Sequence, residues 1–545
     1  MKIRLSLLTL SIASGLAVAA PVAEAAGADG AAKAAAANRA LALIKGSPAA
    51  TRNSGADAFI AGDVTIDANG TEHVRFARTY GGLPVIGGDV VVHSRSGALR
   101  EVSQTLKSTA RPGLAPVVRR DEAIVTAGAR FGTGFTGSPS SRLVIYARDT
   151  APLLAHEVVY HGFKADQTPT EMHYIVDART GKIIDQWDMV HTAMVPGPGG
   201  TTCAGTAATG RGASLTLGNV PVGTAKCGSQ YVLNDTTRGG GATHNMAMKT
   251  GGLGTVFTDP DNAWGNGLTS HTQTAAVDAH YGVAQTWDYF KNTHGRVGIA
   301  NDGVGVISRV HYGRNYANAF WSEACNCMTF GDGTMGATIY PMVVIDVAGH
   351  EMTHGVTNRT AKLIYSGESG GLNEATSDIF GTMVEHFSAN AADTADYVIG
   401  EKLYPNNASM RSAIRWMFKP SLDGASPDCW SSSVAGLDVH YSSGPANRFY
   451  YLLAEGATVP AGFGAGSWAN LTPASLVCNG NTSLTGIGRT AASKIWYRAL
   501  TVYMTSSTNY AGARAATLSA ATDLYGAGST QAKAVAAAWA AVNVN

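Results

Sequence analysis

Apolar and polar positions alternate with two different periods along this chain of 545 residues, and the change of period divides it. From about 58 to 110, side chains alternate with a period of two in His73–Tyr80, Gly81–Ser94 and Ala98–Leu106, the pattern of half-buried strands. A break at Pro112-Gly113 precedes a helical spacing from Arg120 to Phe131. More strands follow, ending in Met172–Asp188 with a turn at Ala178–Gly181. Residues 203–312 read as Gly-rich strands and then as a helix across Thr274–Thr293. From Val343 the period is helical. Val343–His354 is an apolar, helix-compatible run, and Leu372, Ala375, Ile379, Phe380, Met383, Val384 and Phe387 mark one face of a second helix. Beyond about 485 a further helical face is marked by Ala492, Ile495, Trp496, Ala499, Leu500 and Tyr503.

The start of the chain is of another kind. Lys2 and Arg4 precede a short apolar run and then small residues, the make-up of a secretory signal peptide; residues 1–25 are assigned to it, and a secreted, extracellular product is expected. The run is shorter than the roughly 20 residues a membrane span needs, and no membrane association is expected. Residues 26–57 are Ala-rich and read as a helical start. Met194–Gly200, with two Pro and three Gly, is the clearest linker, so a junction is placed between about 190 and 202.

Composition narrows the function more than it names it. A net charge of +1 and no basic block give nothing to steer the chain to nucleic acid. Charged residues make up 14%, against about 25% in typical domains, which leaves a polar, Gly-rich surface. Six cysteines all lie beyond residue 200; in an exported chain they predict disulfides.

The chemistry is concentrated in His350-Glu351-Met352-Thr353-His354. On a helix, residues four apart share a face, with Cβ atoms roughly 5–6 Å apart. His350 and His354 can therefore turn ring nitrogens to one metal ion, and Glu351 can reach a water held there. Zinc suits two nitrogens, one carboxylate and an open fourth position. Glu374 and Asp378, four apart on the second helix, supply that carboxylate (Glu374) and an acceptor for the free N–H of a ligating histidine (Asp378). The remaining histidines, such as His280, His311 and His386, are read as structural.

These segments resemble a known family. The run RNYANAFW from Arg314, the H-E-x-x-H motif, LIYSGESGGLNEATSDIFG from Leu363 and LDVHYSSG from Leu437 are similar to the thermolysin-like neutral metallopeptidases, in particular the pseudolysin and vibriolysin branch. The resemblance spans most of residues 200–545. It implies an α+β architecture: a two-lobed catalytic domain with a β-rich lobe at 196–352, a mostly helical lobe at 353–545 and the zinc-binding helix between. It also implies a pro-region at 26–195, in two modules at 26–110 and 111–195, acting as intramolecular chaperone and inhibitor of a monomeric enzyme that cleaves proteins and peptides.

Residue by residue, the resemblance implies one catalytic zinc on His350, His354 and Glu374, with Glu351 as general base. Asn373 and Asp378 would orient the two histidines. Tyr365 and His440 would stabilise the oxyanion, with Asp438 orienting His440. Asn318 and Ala319 would bind substrate backbone, and Arg415 would grip the carbonyl of the residue after the scissile bond. Ile339, Met342, Val347, Ile399, Leu403 and Ile414 match the wall of the pocket for that residue. All are apolar, which predicts cleavage on the amino side of bulky hydrophobic residues.

At least one structural calcium is implied on Asp346, Glu385, Asp396, the Val398 carbonyl and Glu401. The sequence departs from the family there, with Val398 where a bridging glutamate is found and Thr382 where a relative has an acid, so one ion is expected rather than a pair. Cys203–Cys227 resembles a bridge of the pseudolysin branch, and Cys429–Cys478 is the second expected pairing. Cys325 and Cys327 stand too close for relaxed disulfide geometry and are left as either a bridge or two thiols. A zinc aminopeptidase is the nearest rival. Nineteen residues lie between His354 and Glu374, one more than in those enzymes, and no acidic clamp for a free amino terminus is evident. An inactive scaffold would be expected to lose Glu351 or His440, and both are present.

Overall fold

The computed structural model describes residues 22–189, 203, 205–334 and 338–545. Most of the expected signal segment, and the whole Pro/Gly linker with its junction, lie outside the described residues. No helix among the described residues is long and apolar enough to cross a membrane.

The first half opens with helix α1 (Val22–Gly46), whose Ala36, Ala40 and Ile44 are fully buried against Val74, Phe76, Val90 and Val92. The alternating segments form β1 (Asp57–Ile66), β2 (Thr71–Tyr80), β3 (Leu83–Ile86), β4 (Val90–Arg95) and β5 (Ala98–Gln104). Helix α2 (Arg120–Phe131) follows with the bounds its spacing predicts. Its first turn carries Asp121 and Glu122, and its last carries Arg130, charges that complement the helix dipole. Strands β6 (Phe135–Tyr146), β7 (Leu153–Phe163), β8 (Pro169–Asp177) and β9 (Ile183–Asp188) complete the region. The β8–β9 turn forms because Asp177 Oδ1 accepts from the N–H groups of Arg179 and Thr180, while Gly181 takes φ +72°.

The two expected modules are not separate sheets. Strand β3 pairs parallel with β6, Val85 beside Ile145, so all nine strands belong to one sheet in the order β5-β4-β2-β3-β6-β7-β8-β9, with β1 on β2. Their cores remain distinct, one under α1 and others under α2 and around Trp187.

The second half begins with a five-stranded sheet built around β10 (Thr206–Ala213) and β11 (Asn219–Cys227). A six-stranded sheet contains β12 (Gly241–Asn245), β13 (Ile307–Tyr312), β14 (Ala319–Ser322) and β15 (Cys327–Gly331). Strand β14 pairs with β15 alone and forms the edge of that sheet. Helix α3 (Thr272–His294) lies between the sheets and α4 (Ile345–Asn358). Helix α4 packs most extensively on α5 (Gly367–Ser388). Behind them lie α6 (Gly444–Glu455), α7 (Arg489–Arg498), α8 (Tyr510–Tyr525) and α9 (Thr530–Ala540), around a stacked Phe449–Trp539 pair at 3.7 Å. The division expected between 352 and 353 falls inside α4. The helix is continuous because its buried face, Val347, Ala348, Met352 and Val356, is shared by both lobes.

All three cysteine pairs are bridged: Cys203–Cys227, Cys429–Cys478 and Cys325–Cys327. The last settles the open alternative. It closes the β14–β15 turn, where Asn326 adopts φ +49° and lets the flanking residues face each other.

Candidate active site

Helices α4 and α5 approach until their backbones touch. A methyl built on Gly349 would lie 2.9 Å from Gly381 Cα, and one built on Gly381 would lie 2.4 Å from Asp346 O. Only glycine at both positions permits this crossing, and it sets His350 and His354 of α4 opposite Glu374 and Asp378 of α5.

The two ring Nε2 atoms stand 3.0 Å apart. Glu374 Oε2 is 3.6 Å from His350 Nε2, and Oε1 is 3.3 Å from His354 Nε2. A tetrahedral zinc with bonds of about 2.0–2.1 Å would hold its donor atoms roughly 3.3 Å apart, so the set fits the ion. The far side of each ring fixes its tautomer. His350 Nδ1–H donates to Asp378 Oδ1 at 2.9 Å, and His354 Nδ1–H donates to Asn373 Oδ1 at 2.9 Å. Asn373 is itself pinned by its Nδ2–H on Leu363 O at 2.9 Å. Both rings thereby turn Nε2, the nitrogen a metal would take, toward each other and Glu374, and Glu374 Oε2 is buried without a hydrogen-bond donor.

Asp378 is fully buried and also accepts from Arg415 through two bonds, 2.7 and 2.6 Å, and from Asn447 Nδ2 at 2.7 Å. Burial opposes its charge, yet Arg415 and His350 hold its carboxyl at about 2. Glu351 is buried beside the two rings, and that burial pushes its carboxyl above the ordinary value. Tyr365 donates its hydroxyl to Glu374 and lies 3.3 Å from His440 Nε2. His440 Nδ1 is 2.7 Å from Asp438 Oδ1.

These groups line a cleft of about 800 Å³. Asn318 and Ala319 border it at the sheet edge, and Met342, Val347, Ile399, Ile414 and Arg415 lie on its wall. Two expected wall residues do not reach it. Ile339 packs against the hydrophobic core, and Leu403 is buried beside Gly400, while Ile414 borders the cleft.

Part of the first half also borders the cleft. The β7–β8 turn brings Lys164, Asp166 and Thr168 to its rim. Gln167, at φ +76°, extends its side-chain amide against β13's continuation: Nε2–H donates to Arg314 O at 2.9 Å, and Arg314 N–H donates to Oε1 at 3.1 Å. Thr168 Oγ1 is 2.9 Å from the Tyr316 hydroxyl. Arg148 reaches Ser366 O and, at 3.1 Å, Ser369 Oγ, beside the loop that carries Tyr365.

A second cluster lies at the start of α4. Asp346, Glu385, Asp396 and Glu401 gather there, together with Asp393, which the sequence reading missed. Asp393 follows Ala391 and Ala392 in a loop with no helical or strand period, so no local pattern marked it. Burial and mutual repulsion raise Glu385 and Glu401 well above the usual range, Asp346 to about 7 and Asp396 to about 6. Glu385 Oε1 and Asp396 Oδ2 are buried without hydrogen-bond donors. Such a set fits a hard cation with oxygen ligands. Val398 is buried beside it, with its N–H on Asp396 Oδ1 at 2.6 Å.

The histidines read as structural have ordinary partners. His280 bonds Thr243 and Gly223 O, and His311 bonds Asp332 and Thr272 O. His386 packs on Tyr397.

Comparison with known proteins matches three family models. Residues 209–358 match the thermolysin metallopeptidase catalytic domain, 361–544 its alpha-helical domain, and 57–106 the fungalysin/thermolysin propeptide motif. The transglutaminase-activating metalloprotease of Streptomyces mobaraensis is 48% identical over 88% of this chain, which spans 60% of that protein's length. Thermolysin of Alicyclobacillus acidocaldarius subsp. acidocaldarius is 37% identical over 88% of this chain and 84% of its own. The precursor of protealysin from Serratia proteamaculans is 28% identical over 56% of this chain and 87% of its own, with a TM-score of 0.43.

Proposed function

This chain belongs to the thermolysin family of metallopeptidases, and from that premise we propose that it is an exported, monomeric endopeptidase that cuts before bulky hydrophobic residues. It is a zinc-dependent peptidase with structural calcium, made with a propeptide. The observation that carries the reading is the convergence of His350 Nε2, His354 Nε2 and a Glu374 oxygen while both Nδ1 positions are engaged elsewhere.

His350, His354 and Glu374 would hold the zinc, which when bound supplies a Lewis acid that polarises a carbonyl and lowers the pKa of water toward about 7. Glu351 takes the proton of the attacking water and passes it to the leaving amine. Its burial favours that role, because a raised carboxyl pKa brings acid and base forms nearer to neutral pH. Tyr365 and His440 donate to the oxygen that gains charge, and Asp438 keeps His440 oriented. Substrate backbone lies along the β14 edge at Asn318 and Ala319, whose unpaired side suits β-addition. The residue after the scissile bond enters the pocket of Met342, Val347, Ile399 and Ile414, with Arg415 beside its carbonyl. Calcium would be held by Asp346, Glu385, Asp393, Asp396 and Glu401, across the junction between α4 and the loop after α5.

In the precursor, residues 26–195 act as inhibitor and folding partner of 196–545. The side-chain amide of Gln167 supports this, since it takes both backbone groups of Arg314 a few residues before the substrate edge. The junction lies between about 190 and 202.

The test is Glu351→Gln beside wild type, with metal analysis and N-terminal sequencing of the exported protein. Zinc should be retained, while activity falls by about 10²–10⁴-fold, the usual worth of a general acid/base. Full activity without Glu351, or no zinc in the wild type, would refute the reading. Cleavage of peptides blocked at the amino terminus separates an endopeptidase from an aminopeptidase.

A further inference from the structure

We infer that Arg411 selects for an acidic side chain at the second or third substrate residue beyond the scissile bond. The inference rests on the peptidase reading and on the pocket assignment above.

Arg411 is exposed and borders two hollows at once: the catalytic cleft, and an adjoining depression of about 370 Å³ lined by Met410, Phe463 and Trp468. Arg411 is the residue that borders both. The Arg411 guanidinium carbon lies 5.9 Å from the centre of the Trp468 ring, within cation–π range. Trp468 is fixed in turn, its Nε1–H donating to Ser409 O at 2.8 Å and its ring set edge-on to Trp416 and Phe463 at 6.0 and 5.8 Å. Stacking on an aromatic face uses none of the five guanidinium N–H donors, and among the described residues no carboxylate lies within ion-pair distance of Arg411.

The other charged groups of the cleft are engaged. Arg415 is paired with Asp378. Asp423 accepts from the N–H groups of Ala425 and Ser426 and from Ser426 Oγ. Asp438 holds His440. Lys164 is paired with Asp188 and belongs to the proposed pro-region. Among the described residues, Arg411 is therefore the one cleft-lining cation with no anion beside it.

Its place along the substrate follows from chain geometry. Ile414 lines the pocket for the first residue after the bond, and Arg411 is three residues away along the same wall. Extended chain advances about 3.3 Å per residue, so Arg411 lies about 10 Å or less along the wall from Ile414. A substrate running past the pocket brings its second or third residue within reach of the guanidinium, on the Trp468 side.

The experiment uses the processed, zinc-loaded enzyme and fluorogenic peptides with Leu after the scissile bond and Glu, Ala or Lys at each of the next two positions. At one of those positions Glu should exceed Ala in kcat/KM by about two- to fivefold, the range of an exposed ion pair, with Lys below Ala. The preference should shrink in high salt. Arg411→Ala should remove the Glu-to-Ala ratio, and Arg411→Glu should reverse it in favour of Lys. Equal rates for Glu, Ala and Lys in the wild type would overturn the inference, as would a ratio that survives Arg411→Ala. Failure to cut any of the peptides would instead strike the peptidase reading, and the inference would fall with it.

Discussion

Gly349 of α4 and Gly381 of α5 face each other so closely that a methyl on the first would lie 2.9 Å from the Cα of the second. The neighbour of a methyl on Gly381 would be the Asp346 carbonyl at 2.4 Å, a backbone atom that cannot swing aside. Gly381→Ala should therefore push the helices apart and cost about 1–3 kcal/mol of stability, as overpacked cores do. Because the same crossing brings Glu374 to the two imidazoles, zinc affinity should fall with it. Thermal unfolding and metal content of the purified variant check both effects.

Asp378 acts on His350 from behind, and Asn373 acts on His354 in the same way. Asp378→Asn should weaken zinc binding by about 10–100-fold, the usual effect of losing an outer partner of a ligand. The variant also removes the carboxylate on which Arg415 closes, so KM should rise as well. Competition against a chelator measures the first effect, and steady-state kinetics the second.

Removing calcium should make stability fall as pH rises. Burial and mutual repulsion raise the carboxyls of Asp346 to about 7 and Asp396 to about 6, and lift Glu385 and Glu401 well above the usual range. An acid whose folded pKa is raised favours the folded state only while protonated. Without the cation, stability is therefore lost from about pH 4, the unfolded value, upward through those folded values. With calcium bound, the charge is compensated and the slope should vanish. Unfolding temperatures across that range, with and without a calcium chelator and with zinc supplied, test this. Asp393→Asn should raise the calcium concentration needed for protection.

The first half is pinned to the second by Asp67, which pairs with Arg498 at 2.6 Å and lies 3.0 Å from His73 Nε2. Burial works against the Asp67 charge, but the bonds from His73 and Arg498 outweigh it and hold the carboxyl at about 2, below its ordinary 3.8. A depressed folded pKa gives stability that is present above the unfolded value and lost as pH falls through the folded one. The precursor should thus lose stability between about pH 4 and pH 2, by about 1 kcal/mol once solvent screening of this partly exposed pair is discounted. Asp67→Asn should remove that part of the acid slope. Chemical unfolding of the Glu351→Gln precursor, with and without Asp67→Asn, is the measurement.

Much of this was legible in one dimension because the signals are local. A helix four residues to the face links His350 to His354 and Glu374 to Asp378, and α2 begins and ends where its spacing says. Periodicity likewise separated strand-rich from helical regions. It did not reveal that β3 joins the two early modules into one sheet, since the Val85–Ile145 pairing is parallel and long-range.

The chain's order of residues by itself placed His350 with His354, and Glu374 with Asp378, each pair on one face of a helix, because that spacing is a property of the helix repeat; the expected roles of Tyr365, His440 and Arg415, off those helices, rested on the family resemblance. The tertiary structure alone decided what those helices meet. It added Asp393 to the acidic cluster, withdrew Ile339 and Leu403 from the cleft wall and brought Gln167 against Arg314 at its rim. It also left Arg411 over the Trp468 ring with no anion beside it among the described residues. The reason is physical: a loop residue's role depends on which distant surface it packs against, and neither hydrophobic period nor motif spacing carries that distance.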